Sequence, residues 1–224
     1  MNKKFFEIYQ YLAPAVLSPL SLWLWLKTFD ENLLITLYIW GIPVIYAYIV
    51  PAIGANVLKV WEFDTRFRLG RFRPHHGFVF GSATATLAWI CHFHQIIDIA
   101  GIFRYGFILA SVLGFWNVLF DIKAVESGMI KVYNQKWADG TGAEAIVMDY
   151  GPTFFAIFGA IYCLSSGTAE WLFYKGMLSP LFSLVLGSAT LSLSTGLSVF
   201  IYRRHSFRMH GHSGCRPVRK VQKL

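Results

Sequence analysis

The side chains able to move a proton are gathered in a few places. Asp121, Glu126, Glu144 and Asp149 fall within one stretch, and His75 and His76 stand side by side earlier in the chain. Carboxylates and imidazoles serve as general acids and bases near neutral pH and as ligands for a divalent metal, so these six form the candidate catalytic set. Asp121 is the most informative of them. It closes an apolar run one turn after Asn117, and four-residue spacing puts both on one helix face. Asp149 has a structural reading beside the chemical one. It precedes Tyr150, Gly151 and Pro152, where an acid and a proline suit a helix N-terminus.

Trp61–Gly77 alternates arginines with aromatics. Arg66, Arg68, Arg71 and Arg73 could clamp an anionic head group, since guanidinium binds carboxylate and phosphate through two parallel bonds. The same pattern also suits an interfacial segment on anionic lipid. His205, His210 and His212, followed by Cys215, are candidate ligands for a borderline-soft metal, which makes a divalent cation the one cofactor the sequence suggests. Over about a dozen residues this segment resembles the last histidine box of membrane fatty-acid and alkane hydroxylases. That resemblance implies a two-iron centre with further histidines. No box of the HxxxH type occurs here, so carboxylates would have to stand in for them. On the opposite side, a helix through His94 and Asp98 would put those two on one face as a proton relay.

These residues must be held by helices in a bilayer. The chain has 224 residues, 55% hydrophobic and only 14% charged, against about 25% charged in a soluble domain. Six continuous apolar stretches, about 11–26, 33–58, 77–97, 103–120, 152–164 and 177–202, predict six membrane-spanning helices. The fifth is short unless residues 145–151 extend it. Pro43 and Pro51 are expected to kink or break the second. Of the 20 Lys and Arg, 17 fall at the N-terminus, in the second and fourth loops and in the tail, and three (Lys27, Arg104 and Lys175) in the alternate loops. Short basic loops stay in the cytoplasm, so both termini are expected there. The net charge of +8 follows this pattern and does not point to nucleic acid.

The fold class expected is therefore an all-α integral membrane protein with six transmembrane helices. Residues 1–204 form the helical domain and 205–224 a basic cytoplasmic tail, solvated or lying on the membrane. Small residues four apart, such as Ser188, Ser192 and Gly196, or Gly81 and Ala85, would let helices approach closely, within the chain or against partner subunits. The cytoplasmic (inner) membrane and the endoplasmic reticulum fit equally. The first functional expectation is a small membrane enzyme of lipid metabolism, acting on a hydrophobic substrate at the cytoplasmic leaflet among membrane lipids. The alternatives are an assembly subunit of a membrane complex and a transporter or channel.

Overall fold

The computed structural model of the protein describes residues 3–135 and 141–218. Lys136, Arg219, Lys220 and Lys223, which enter the charge count above, lie outside these residues. Helix α1 (Lys3–Thr28) passes through Pro14 and Pro19 without ending. Helix α2 (Leu33–Pro51) starts at Asn32, whose side-chain oxygen accepts from the Leu34 and Ile35 amides, a cap worth about 1 kcal/mol. Pro43 lies inside α2, and beyond Pro51 the helix continues as a wider π-helical turn, Ala52–Val57. Proline removes an amide donor and crowds the preceding turn, and a π-turn absorbs that mismatch without breaking the rod.

Helix α3 (His76–Cys91) follows a short strand β1 (Trp61–Phe63). Helix α4 (Ile99–Glu126) is capped by Asp98, whose Oδ1 accepts from the Gly101 amide at 2.6 Å. Strand β2 (Ile130–Val132) pairs antiparallel with β1, Trp61 opposite Val132 and Phe63 opposite Ile130. Helix α5 (Ala143–Gly151), a second π-turn at Pro152–Ala156 and helix α6 (Ile157–Tyr174) form one rod, so the short fifth segment is lengthened at both ends. Helix α7 (Pro180–His210) is capped by Ser179 and stops at Gly211, whose φ of +73° is left-handed.

The protein is all-α apart from the small ribbon. Among the described residues four helical stretches are long and apolar enough to cross a membrane: Leu33–Val57, Ile99–Glu126, Ala143–Tyr174 and Pro180–His210. Helix α3, with 16 residues, is shorter than these four. The pairs α4 with α6, α2 with α3 and α1 with α3 pack most extensively. Gly81 makes one of these approaches possible, because a Cβ there would lie 2.4 Å from the Val44 Cα of α2. Gly81→Ala is expected to push α3 off α2 and destabilise by about 1–3 kcal/mol, as overpacking does. Thermal unfolding in detergent checks this, and an unchanged midpoint would mean that the two helices slide apart freely.

Two apolar cores result. One, around Trp25, Ile39, Leu109 and Tyr162, fills the middle and one end of the bundle. The other, around Phe6, Phe63, Phe72, Met129 and Ile146, forms where the ribbon packs at the opposite end. At that second end Asp64 gathers Lys3 at 2.6 Å, Arg68 at 3.3 Å and Lys131 at 3.7 Å. The hydrogen bond from Lys3, outweighing some burial, holds the Asp64 carboxyl below its ordinary range. The segment after α7 returns to the same end, where the Val218 amide donates to the Tyr133 carbonyl at 2.8 Å. Residues 205–210 thus belong to α7, and 211–218 pack on the loop after β2, in place of a free solvated tail.

The first end differs from expectation at one point. His94 and Asp98 share no helix face, because α3 stops at Cys91 and Asp98 has the extended backbone of a cap. His92 leaves the helix to meet Glu170 of α6: its Nε2 lies 2.7 Å from Oε2, and the Ile96 amide donates to Oε1 at 2.9 Å.

Candidate functional site

The ends of α2, α3, α4, the α5–α6 rod and α7 leave a cavity of about 200 Å³ between them, bordered also by the ribbon and by Gly214 and Cys215. The wall is mostly apolar, with Phe80, Phe154 and Phe158 prominent, and its polar groups include His76, Asn117, Asp121, Tyr150 and Tyr202. Asn117 and Asp121 both reach it, as four-residue spacing on α4 requires.

Asp121 is 6% exposed, and its Oδ2 accepts from the Tyr150 hydroxyl at 2.9 Å. The carboxyl also attracts the buried Arg73, which packs over the Phe63 ring at 4.0 Å and lies 5.7 Å from the Phe80 ring. Burial pushes the Arg73 guanidinium down to about 10, against the pull of Tyr9 and Asp121. Its Nη2 lies 3.3 Å from Nδ1 of His76. A guanidinium can only donate, so Nδ1 accepts and the His76 ring is neutral, with its proton on Nε2.

The other candidates divide. His75 turns away from the cavity and stacks between Tyr11, at 5.0 Å, and Phe67, at 6.2 Å. Burial and then Arg73 push its imidazole below the ordinary value. Glu126 is exposed and pairs with Lys123 at 2.8 Å. Glu144 is exposed in the first turn of α5. That helix begins at Ala143, so Glu144 and not Asp149 holds the acid position near its N-terminus.

Asp149 instead anchors a polar cluster behind the cavity wall. Its Oδ1 accepts from Nε2 of His205 at 3.1 Å and of His210 at 2.7 Å. Its Oδ2 accepts from Gln135 and, at 3.2 Å, from the Tyr202 hydroxyl. Asn134 adds bonds to Tyr202 at 3.1 Å and to the Gly214 carbonyl at 2.6 Å. This cluster ties α5, α7 and the segment after it together. His212 stacks on His210 at 5.9 Å. Among the described residues no group of three or more His, Cys, Asp or Glu is arranged to hold a metal ion.

None of the four arginines lines the cavity. Arg66 is exposed, and Arg68 is bound to the Thr65 carbonyl at 2.5 Å and to Asp64. Arg71 is buried against Glu62 at 2.5 Å, and Arg73 lies under the aromatics already named. Sequence reasoning passed over Tyr150, Tyr202, Asn134 and Gln135. The first two could have been found as phenols beside acidic or basic residues at helix ends, whereas the two amides carry no local signal. No protein-family model, curated protein or solved structure matches this chain.

Proposed function

We propose that this chain is a small integral-membrane enzyme that acts on a lipid-like substrate at the cytoplasmic leaflet, with Asp121, Tyr150 and His76 as its acid–base groups. One observation carries the reading. A carboxyl and a neutral imidazole from separate stretches of sequence reach the wall of one apolar cavity, the carboxyl held by a phenol at 2.9 Å. Burying ionisable groups beside an apolar space is costly, and function is the usual reason to retain them in a membrane. Asp121 and Tyr150 would exchange a proton with the polar end of the substrate, and the Nε2–H of His76 would supply a second donor. Arg66 and Arg68, at the same end, would meet anionic head groups of the surrounding bilayer. The test is to incubate the purified protein with a membrane lipid extract and follow masses that change. Conversion by the protein alone supports the reading, and none in any extract overturns it.

The orientation proposed is six spans with both termini in the cytoplasm. Its support is the split of 17 basic residues against three, and the meeting of Lys3, Asp64, Lys131 and Val218 at one end of the bundle. A cysteine introduced at Arg68 is expected to react with an impermeant thiol reagent only from the cytoplasmic side, and one at Asp30 only from outside. The reverse pattern, or labelling of both from one side, would overturn the orientation.

A second reading, an assembly subunit, draws on α7. Its inward face is Ser183, Gly187, Thr190, Ser194 and Ser198, while Ser188, Ser192 and Gly196 point outward, with nothing within 4 Å of a Cβ at Gly196. Gly81 and Ala85, by contrast, are used within the chain. A subunit would purify with a partner and be unstable alone, whereas an enzyme would be active alone.

A further inference from the structure

The charges around the cavity restrict what can enter it. Among the described residues no Lys or Arg side chain lines the wall. The buried Arg73 nearby is enclosed by aromatic rings and directed at His76. His76 is neutral, because its Nδ1 accepts from that guanidinium. Among the described residues the one acidic side chain on the wall is Asp121. A phosphate or carboxylate entering here would lose its water, meet no cation and face a carboxyl group, which is the costly case for a buried charge. An ammonium group would find Asp121 already attracted to Arg73.

Uncharged oxygen, in contrast, has partners. Thr195 is one of the wall residues, and its Oγ1 is buried without a hydrogen bond. Tyr46, also on the wall, has its hydroxyl near Ser198 without a completed bond. Both can donate and accept, so a hydroxyl or carbonyl satisfies them where water is scarce. The size is also restrictive. A cavity of about 200 Å³ is below the range of about 300–1,000 Å³ usual for drug-sized ligands, and admits one slender chain better than the paired chains of a glycerophospholipid.

We infer that the cavity binds an uncharged amphiphile, a single hydrophobic chain ending in a hydroxyl or carbonyl oxygen, with that oxygen at the polar groups among the wall residues, Thr195, Tyr46 or the Asp121–Tyr150 pair. This rests on the reading of the cavity as the substrate site, and it narrows the substrate class.

The test uses the full chain in nanodiscs of zwitterionic lipid. Four photoactivatable probes share one chain and differ at the end: alcohol, carboxylate, phosphate monoester and amine. Labelled peptides are mapped by mass spectrometry. The alcohol is expected to label the segment around Phe154–Phe158 at least about tenfold more strongly than the three charged probes, a difference that corresponds to one decade in affinity. Excess unlabelled alcohol should abolish the signal, as should Ala47→Phe, which fills the wall. Thr195→Val should weaken labelling by the alcohol about three- to tenfold, the effect of one lost hydrogen bond, and leave the weak labelling by the charged probes unchanged. Equal or stronger labelling of the cavity by any charged probe overturns the uncharged-ligand inference and leaves the enzyme reading standing. Labelling by none of the four overturns the cavity as the substrate site. The competition experiment needs no variant, so an Ala47→Phe protein that fails to fold does not remove the test.

Discussion

Asp121→Asn is expected to lower the conversion rate by about 10²–10⁴-fold, the usual contribution of one general acid or base, while the protein still inserts and purifies. Asn has the same shape, and its side-chain oxygen can still accept from the Tyr150 hydroxyl, so the 2.9 Å contact can survive. What is lost is the exchangeable carboxyl proton. Tyr150→Phe should give a smaller loss, because it removes only the bond that orients the carboxyl. The comparison is made on the lipid-extract conversion at matched protein amounts, with thermal unfolding as the control. An Asn variant of full activity removes Asp121 from the chemistry. An Asn variant that cannot be purified makes Asp121 a structural partner of Arg73.

Glu170→Ala is expected to destabilise the protein by about 1–3 kcal/mol for each of the two buried donors it strands, the cost of leaving a buried polar group unsatisfied. The Glu170 side chain is 1% exposed and His92 8%, and Trp25, Phe29 and Tyr105 surround the imidazole. Removing the carboxylate leaves His92 Nε2 and the Ile96 amide without an acceptor in an aromatic pocket. His92→Leu combined with Glu170→Leu should cost less than the sum of the two single changes, since the second removes a group already stranded. Denaturation in mild detergent measures the loss. Additive effects would mean that the two residues act independently. This pair lies at the other end of the bundle from Asp121, so Glu170→Ala should change stability and leave the substrate preference unaltered.

Hydropathy made the helices legible because a bilayer imposes long apolar runs whatever the protein does. The face shared by Asn117 and Asp121 was legible for the same local reason, the helical repeat. Asp149 was misplaced because the helix start at Ala143 follows a glycine-rich polar stretch, and Pro152 looked like the stronger start signal. Pro152 is absorbed instead by a π-turn inside one rod. Arg71 and Arg73 alternate with aromatics as an exposed clamp would, yet both turn inward, one to Glu62 and one onto Phe63 and Phe80. The sequence around them does not name those partners. The His92–Glu170 bond and the His205–Asp149–His210 cluster join residues 78, 56 and 61 positions apart, and no periodicity reports such distances. The order of residues 211–218 follows from that cluster, so it was equally hidden.

The segment beyond α7 has a consequence for how the protein is made. The cavity wall draws on residues from Pro43 to Cys215, and Gly214, held by Asn134, is among the last of them. A chain synthesised from its N-terminus makes α1 to α7 before that segment exists. The cavity wall is therefore completed only once residues 214 and 215 have been made, later than every helix that borders it. A bulky group placed directly after Val218 would disturb the Val218–Tyr133 bond and, through it, the part of the wall that Gly214 and Cys215 supply.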